Sequence, residues 1–262
     1  MRKPVLLFLL LLGMAALLLL FMPATQAYPK HSGSTFRAGQ LKNARVKKAY
    51  QLTWKSIRQN LAKLNVDSTS FRIFIRAFKQ EEELEVWVRS SSAQKYVLYD
   101  KFKICASSGT PGPKRCQGDG QVPEGFYHIN VFNPTSAYHL SLGVSYPNAS
   151  DKFFACKPDP GGAIMIHGNC VTIGCIPLTD EIIREVYVMA VEAKDGGQQK
   201  IPVHIFPARM SSTNMAALKR TYTDATVHKF WDNLLPGYQA FESKHIVPSV
   251  SVNAKGQYVL AD

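Results

Sequence analysis

Cysteine is scarce in this chain: five residues in 262, the first of them Cys105. A lipid-modified cysteine near the N-terminus is therefore excluded as an anchor. No Cys-x-x-Cys pair occurs; Cys170 and Cys175 have four residues between them, which does not suit dithiol redox work. His167, Cys170 and Cys175 lie close in sequence, but no spaced Cys/His pair follows to complete a tetrahedral zinc site. No metal and no cofactor is expected. Internal repeats and low-complexity segments are absent, which excludes a solenoid. From Tyr28 to Val66 there is no Asp or Glu at all.

That acid-free span carries nine basic residues: Lys30, Arg37, Lys42, Arg45, Lys47, Lys48, Lys55, Arg58 and Lys63. The net charge of +12 is thus a local N-terminal feature, and the chain beyond Val66 is close to neutral. Within the basic span Tyr50, Trp54, Ile57, Leu61 and Leu64 are spaced 4, 3, 4, 3, which predicts an amphipathic helix. Its apolar stripe would dock on the rest of the chain. Its basic face would be solvated, or drawn to an anionic lipid or wall surface.

Residues 1–27 read as a targeting segment. Arg2 and Lys3 precede a run from Val5 to Phe21 that is apolar apart from Gly13, and Thr25-Gln26-Ala27 offers a cleavage site. The alternative is an uncleaved membrane anchor, although the run is short for a span of about 20 residues. Either reading puts the rest outside the cytoplasm, in the periplasm or cell envelope. Nucleic acid is not an expected partner there.

Apolar content of 46% suffices for a sizeable core. From Phe71 the period changes from helical to two. Strands are predicted over 71–78, 84–89, 96–104, 126–132, 138–144, 162–167 and 201–206. Lys79 to Glu83 forms the first hairpin loop. Ser107 to Gly125, with five Gly and three Pro, is a long ordered loop; Asp119 and Glu124 are either its turn-makers or fix it beside a site. A helix is predicted over 180–193 and another over 211–231, with Pro236-Gly237 as a turn. A hairpin follows over 247–260. The domain boundaries are 28–68 for the basic segment, 69–208 for the core domain and 209–262 for a C-terminal extension.

The chemistry concentrates in Ile164 to Asp180, IMIHGNCVTIGCIPLTD. A short apolar strand delivers His167. Gly168 and Gly174 then free the backbone around Cys175, and a helix starts after Pro177. A thiol and an imidazole so framed suit a cysteine nucleophile and its base. The glycines leave room for backbone N–H groups around Gly174 and Cys175 to approach an oxyanion. Thr172 either bonds the turn backbone or orients His167. Tyr127 and Tyr146 are core aromatics or groove residues. His128, His139 and His204 read as strand histidines. With Cys175 free, the other four cysteines allow three pairings; Cys105–Cys116 and Cys156–Cys170 is the preferred one.

His167-Gly168 followed by Thr172-Ile173-Gly174-Cys175-Ile176 resembles the active-site signature of the L,D-transpeptidase (YkuD-like) superfamily. The runs Gly112-Pro113-Lys114, Gly118 to Tyr127, Ser141-Leu142 and Tyr146-Pro147-Asn148 resemble its YafK-like murein branch. Many members place a polar or basic residue two positions after the cysteine, where this chain has Pro177. The resemblance spans roughly residues 70 to 208. It implies an α+β, mainly β, sandwich-like catalytic domain, here with helical additions at both ends. It also implies Cys175 as nucleophile, His167 as base, and the stem peptide of peptidoglycan as substrate. Transfer to an amine or hydrolysis by water both fit. A wall-associated binding module without chemistry is the competing class.

Overall fold

The computed structural model describes residues 35–261; the expected targeting segment and Lys30 lie outside the described residues. Two helices open the chain, α1 (Thr35–Gln40) and α2 (Ala44–Lys63). Then come β1 (Phe71–Phe78), β2 (Glu83–Ser90), β3 (Val97–Lys103), β4 (Gly125–Asn133), β5 (Ser141–Val144) and α3 (Ala149–Phe154). The stretch around His167 and Cys175 supplies β6 (Met165–His167), β7 (Ile176–Pro177) and α4 (Asp180–Asp195). The chain closes with β8 (Pro202–Phe206), α5 (Ser212–Thr221), α6 (Ala225–Lys244), β9 (Val250–Val252) and β10 (Tyr258–Leu260). The first eight strands form one mixed sheet in the order β3-β2-β1-β8-β4-β5-β6-β7. Among the described residues no helix is long and apolar enough to cross a membrane.

The two-residue period of β1 explains the layering. Phe71, Ile73, Ile75 and Ala77 join one core with Ile57 and Leu61 of α2 and Val186 and Ala190 of α4. Phe74 points the other way, onto Phe241 of α6 at 4.8 Å between ring centroids. Phe78 packs there against Phe206 and Tyr238. Both faces of the strand are covered, so both alternating sets carry buried apolar residues. Two arginines interrupt the second set: Arg72 is half-buried and donates to Gly196 O, and Arg76 is 2% exposed, paired with buried Glu85 at 2.7 Å and with Glu242 of α6 at 2.5 Å.

The predicted stripe on α2 docks as expected, with Tyr50 and Trp54 partly buried beside it. Lys42, Lys47, Lys48, Lys55, Arg58 and Lys63 remain exposed. Asn43 caps the helix by accepting from the Arg45 N–H.

Three expectations are corrected. The stretch 211–231 is two helices, because Asp224 caps a new helix by accepting from the Thr226 N–H. Pro236-Gly237 is not a turn but lies inside α6. Trp231, Leu234, Tyr238 and Phe241 form a buried stripe at helical spacing, which outweighs the roughly 3 kcal/mol cost of an internal proline. Pro236 itself faces solvent. Gly237 is needed because a Cβ there would stand 2.4 Å from the Phe126 ring.

The third correction concerns the disulfides, which join Cys105 to Cys170 and Cys116 to Cys156. The Gly-rich loop does not close on its own stem. It runs beside residues 155–159, with the Cys156 N–H donating to Arg115 O and the Gln117 N–H to Asp159 O. Cys105 meanwhile docks on β7 through its N–H to Pro177 O, next to the loop that carries Cys170.

Candidate active site

The parallel pairing of β6 and β7 sets the site. Ile166 lies opposite Ile176 and His167 opposite Pro177, so Cys175 falls opposite Met165. Met165 and His167 share a face by the two-residue period, and cross-strand neighbours share theirs. Cys175, the residue before β7, and His167, the last residue of β6, are therefore carried by neighbouring strands, two register positions apart. The eight-residue separation in sequence is shortened because the intervening turn is only a short excursion between paired strands.

His167 is 2% exposed, covered by Tyr138, whose ring lies 4.8 Å from the imidazole at a 31° tilt. Its Nδ1 is 2.6 Å from Gly168 O. A carbonyl only accepts, so the proton sits on Nδ1 and Nε2 keeps its lone pair. Gly168 is required by crowding: a Cβ there would meet Asp180 Oδ1 at 2.5 Å. The Gly168 N–H donates to Tyr138 O and Leu140 O, which holds the imidazole's cover in place. Tyr138 precedes His139 at φ 67°, so the strand predicted from residue 138 begins only at Ser141. Arg45 of α2 steadies this bend by donating to Ser136 O and His139 O.

Thr172 takes the turn-bonding role. Its hydroxyl oxygen accepts from the Gly174 N–H at 3.1 Å and the Cys175 N–H at 2.8 Å, and donates to Cys175 O. The two N–H groups expected to face an oxyanion are thus already occupied by this hydroxyl. Gly174 adopts φ 131° against Gln121 O, a conformation and a closeness that suit glycine. The thiol of Cys175 receives the Met165 N–H and lies 3.7 Å from Ala163 O. It opens into a cavity of about 260 Å³ bounded by Lys79, Ile104, Ser107 to Pro111 and Tyr222. Cys175 is the free cysteine among the described residues, and Cys170 is held in its disulfide.

Tyr127 and Tyr146 are buried behind the Gly-rich loop, and other residues line the cavity at Cys175. Tyr127 donates to Glu124 O and to Asp151; Tyr146 donates to Pro160 O. His128 and His204 lie in strands as read, His204 wholly within the core. Asp119 and Glu124 both fix the loop. Asp119 accepts from the backbone of Arg115, Cys116 and Gln121 and from Lys114. Glu124, fully buried, accepts from the Gly112 N–H, the Trp231 indole and Lys79. Sequence reasoning missed Tyr138, Arg45 and Lys79. None carries a local signal, since each reaches the site through tertiary contact alone.

Burial pushes the Cys175 thiol up from its ordinary value, against the Met165 N–H and the positive charge of Lys114. Burial also pushes the His167 imidazole down, against its bond to Gly168 O. Both shifts favour a neutral thiol beside a neutral imidazole over a ready-made ion pair. The imidazole accepts a proton only when uncharged, so acylation should switch on as pH rises through a midpoint below the ordinary histidine value of 6.5. Alkylation of Cys175 by iodoacetamide should climb beyond pH 9.0 without a neutral plateau. A plateau reached below neutrality would show a preformed thiolate and overturn this assignment.

Residues 74–205 match the family model described as the YkuD L,D-transpeptidase catalytic domain. The Escherichia coli K12 protein named "Putative L,D-transpeptidase YafK" is 37% identical over 191 residues, covering 72% of this chain and 74% of that protein. Among solved structures, the helical cell shape determining protein Pgp2 of Campylobacter jejuni is 19% identical, with 70% of this chain and 73% of that one covered at a TM-score of 0.42. L,D-transpeptidase 1 of Mycobacterium tuberculosis is 12% identical, with 52% and 62% covered at a TM-score of 0.28.

Proposed function

Since the chain belongs to the YkuD L,D-transpeptidase family, we propose that it is an exported cysteine acyltransferase acting on peptidoglycan stem peptides. The observation that carries this reading is the placement of Cys175, open to a cavity, at the start of β7 beside β6, whose His167 is buried with its Nδ1 at Gly168 O. Nε2 of His167 takes the thiol proton as sulfur attacks an amide carbonyl, whose acyl donor is a diamino acid such as meso-diaminopimelate. The tetrahedral oxyanion collapses to a thioester, and the imidazolium gives its proton to the departing amine. For the Gly174 and Cys175 N–H groups to hold that oxyanion, the Thr172 hydroxyl that accepts from both has to give them up. An amine then takes the acyl group in transpeptidation, or water takes it in hydrolysis.

Digestion of purified peptidoglycan by the protein, read by mass spectrometry, tests the reading. New cross-links identify transfer, and shortened or released stems identify hydrolysis. If neither forms and iodoacetamide labels Cys175 at the same rate in the wild type and in His167→Ala, the non-catalytic wall-binding class replaces it.

The basic face of α2 is assigned to an anionic membrane or wall surface. It carries exposed Lys47, Lys48, Lys55 and Arg58 with no acidic neighbour on the helix. Changing these four to Gln is expected to weaken co-sedimentation with anionic vesicles or sacculi several-fold. The attraction should fade with salt, as the Debye length falls below about 8 Å. Salt-insensitive co-sedimentation would reject the assignment.

A further inference from the structure

The Cys175 cavity has a larger neighbour. A groove of about 880 Å³ runs between the Gly-rich loop and the C-terminal extension, and it shares Thr110, Pro111 and Tyr222 with the cavity at the thiol. Its size lies in the range of ligand sites. Its far wall belongs to the segment joining α5 to α6, the first turns of α6, and the turn between β9 and β10. The extension therefore builds half of a groove that begins at the nucleophile.

The chemistry of the groove is directional in charge. Arg115, Lys229 and Lys255 line it, against a single acid, Asp224. Asp224 is already engaged as the cap of α6, accepting from the Thr226 N–H. Arg115 is held between the rings of Phe154 and Phe230, at 5.3 and 4.8 Å, and its buried Nη1 has no hydrogen-bond partner. Asp151 faces that nitrogen at 3.5 Å, beyond good bonding geometry. Thr226, Gln121, Asn233 and Gln257 add neutral polar groups to the lining.

We propose that this groove is the subsite for the anionic part of the stem peptide. Residues distant from the attacked bond would lie along the C-terminal extension, their carboxylates facing Lys229, Lys255 and Arg115. The inference rests on the stem-peptide reading above and deepens it. It gives the extension a role in substrate selection, through long-range charge and a polar lining, while the bond chemistry stays at the thiol.

The test separates binding from turnover by using the Cys175→Ala protein and calorimetry. Its ligands are a soluble stem tetrapeptide with free carboxylates and the same peptide with those carboxylates amidated. The free acid is expected to bind at least about tenfold more tightly, a difference of about 1.4 kcal/mol. Lys229→Glu with Lys255→Glu should weaken the free acid by a similar factor and abolish the preference. Both lysines are exposed, so the double variant should fold; an unchanged melting temperature checks this. Equal affinity for the two peptides, or an unaltered preference in the double variant, overturns the groove assignment. If the charge preference holds while the wild type neither cleaves nor joins stem peptides, the groove stands and the catalytic reading fails. Turnover of both peptides with the same KM leaves the catalytic reading and removes the groove.

Discussion

Cys175→Ala is expected to lower the acylation of a stem-peptide analogue by at least about a thousand-fold, with the fold intact. A covalent nucleophile has no substitute, and its loss ordinarily removes several orders of magnitude. Cys175 is half-buried and packs no core, so an unchanged urea midpoint should accompany the loss. His167→Ala should cost about a hundred-fold or more, the usual contribution of a positioned base. The pair should be non-additive, because a base has nothing to activate once the thiol is gone. A residual rate above about a tenth in the Cys175 variant would reassign the nucleophile. An unchanged rate in His167→Ala would exclude that imidazole as the base.

Glu124→Leu should produce the largest loss of stability. The carboxylate is fully buried and satisfies three donors at once: the Gly112 N–H at 2.6 Å, the Trp231 indole at 2.8 Å and the Lys79 ammonium at 3.0 Å. Burial already pushes the Lys79 pKa down, and Glu124 is the chief influence opposing it. Removing one partner of such a pair leaves an uncompensated buried charge and costs about 3–5 kcal/mol. That is a large share of the roughly 5–15 kcal/mol that holds a typical domain. Because the charge is the cause, Lys79→Leu in the same chain should recover part of the loss. Urea denaturation of the two variants decides it. A single-variant loss below about 1 kcal/mol, or a double variant weaker than the single, would mean that water or another group satisfies Lys79. Gly112 lines the groove and Trp231 lies beneath its other wall in α6, next to the lining residue Phe230, so the same substitution should also blur binding there.

Local chemistry was legible in the sequence wherever a local rule governs. The stripe on α2, the hairpin of β1 and β2, the start of α4 at Asp180 and the pairing of β9 with β10 all follow from period, turn residues and the acidic first turn of a helix. So did the short apolar strand that delivers His167. What stayed hidden depends on non-local partners. Pro236-Gly237 looks like a turn until Phe126 arrives to explain why a helix needs glycine there. The disulfide pairing follows from where the Gly-rich loop is laid down, which no spacing encodes. That Thr172 collects both the Gly174 and Cys175 N–H groups was hidden too, because a threonine's place in a turn does not say which donors its hydroxyl meets.

The two-sided burial of β1 bears on modularity. The matched family region begins at Phe74 and ends at Ile205, between α2 and α6. Excised at those limits, the region would keep α4 against Ile75 and Ala77 but would bare Phe74 and Phe78, both fully buried under α6, and the side of α4 that α2 covers. A fragment with such apolar surfaces bare would associate with itself before it could meet a substrate. The flanking helices are thus inseparable from the catalytic region. Any transplant of this active site into another scaffold must carry α2 and α6 with it.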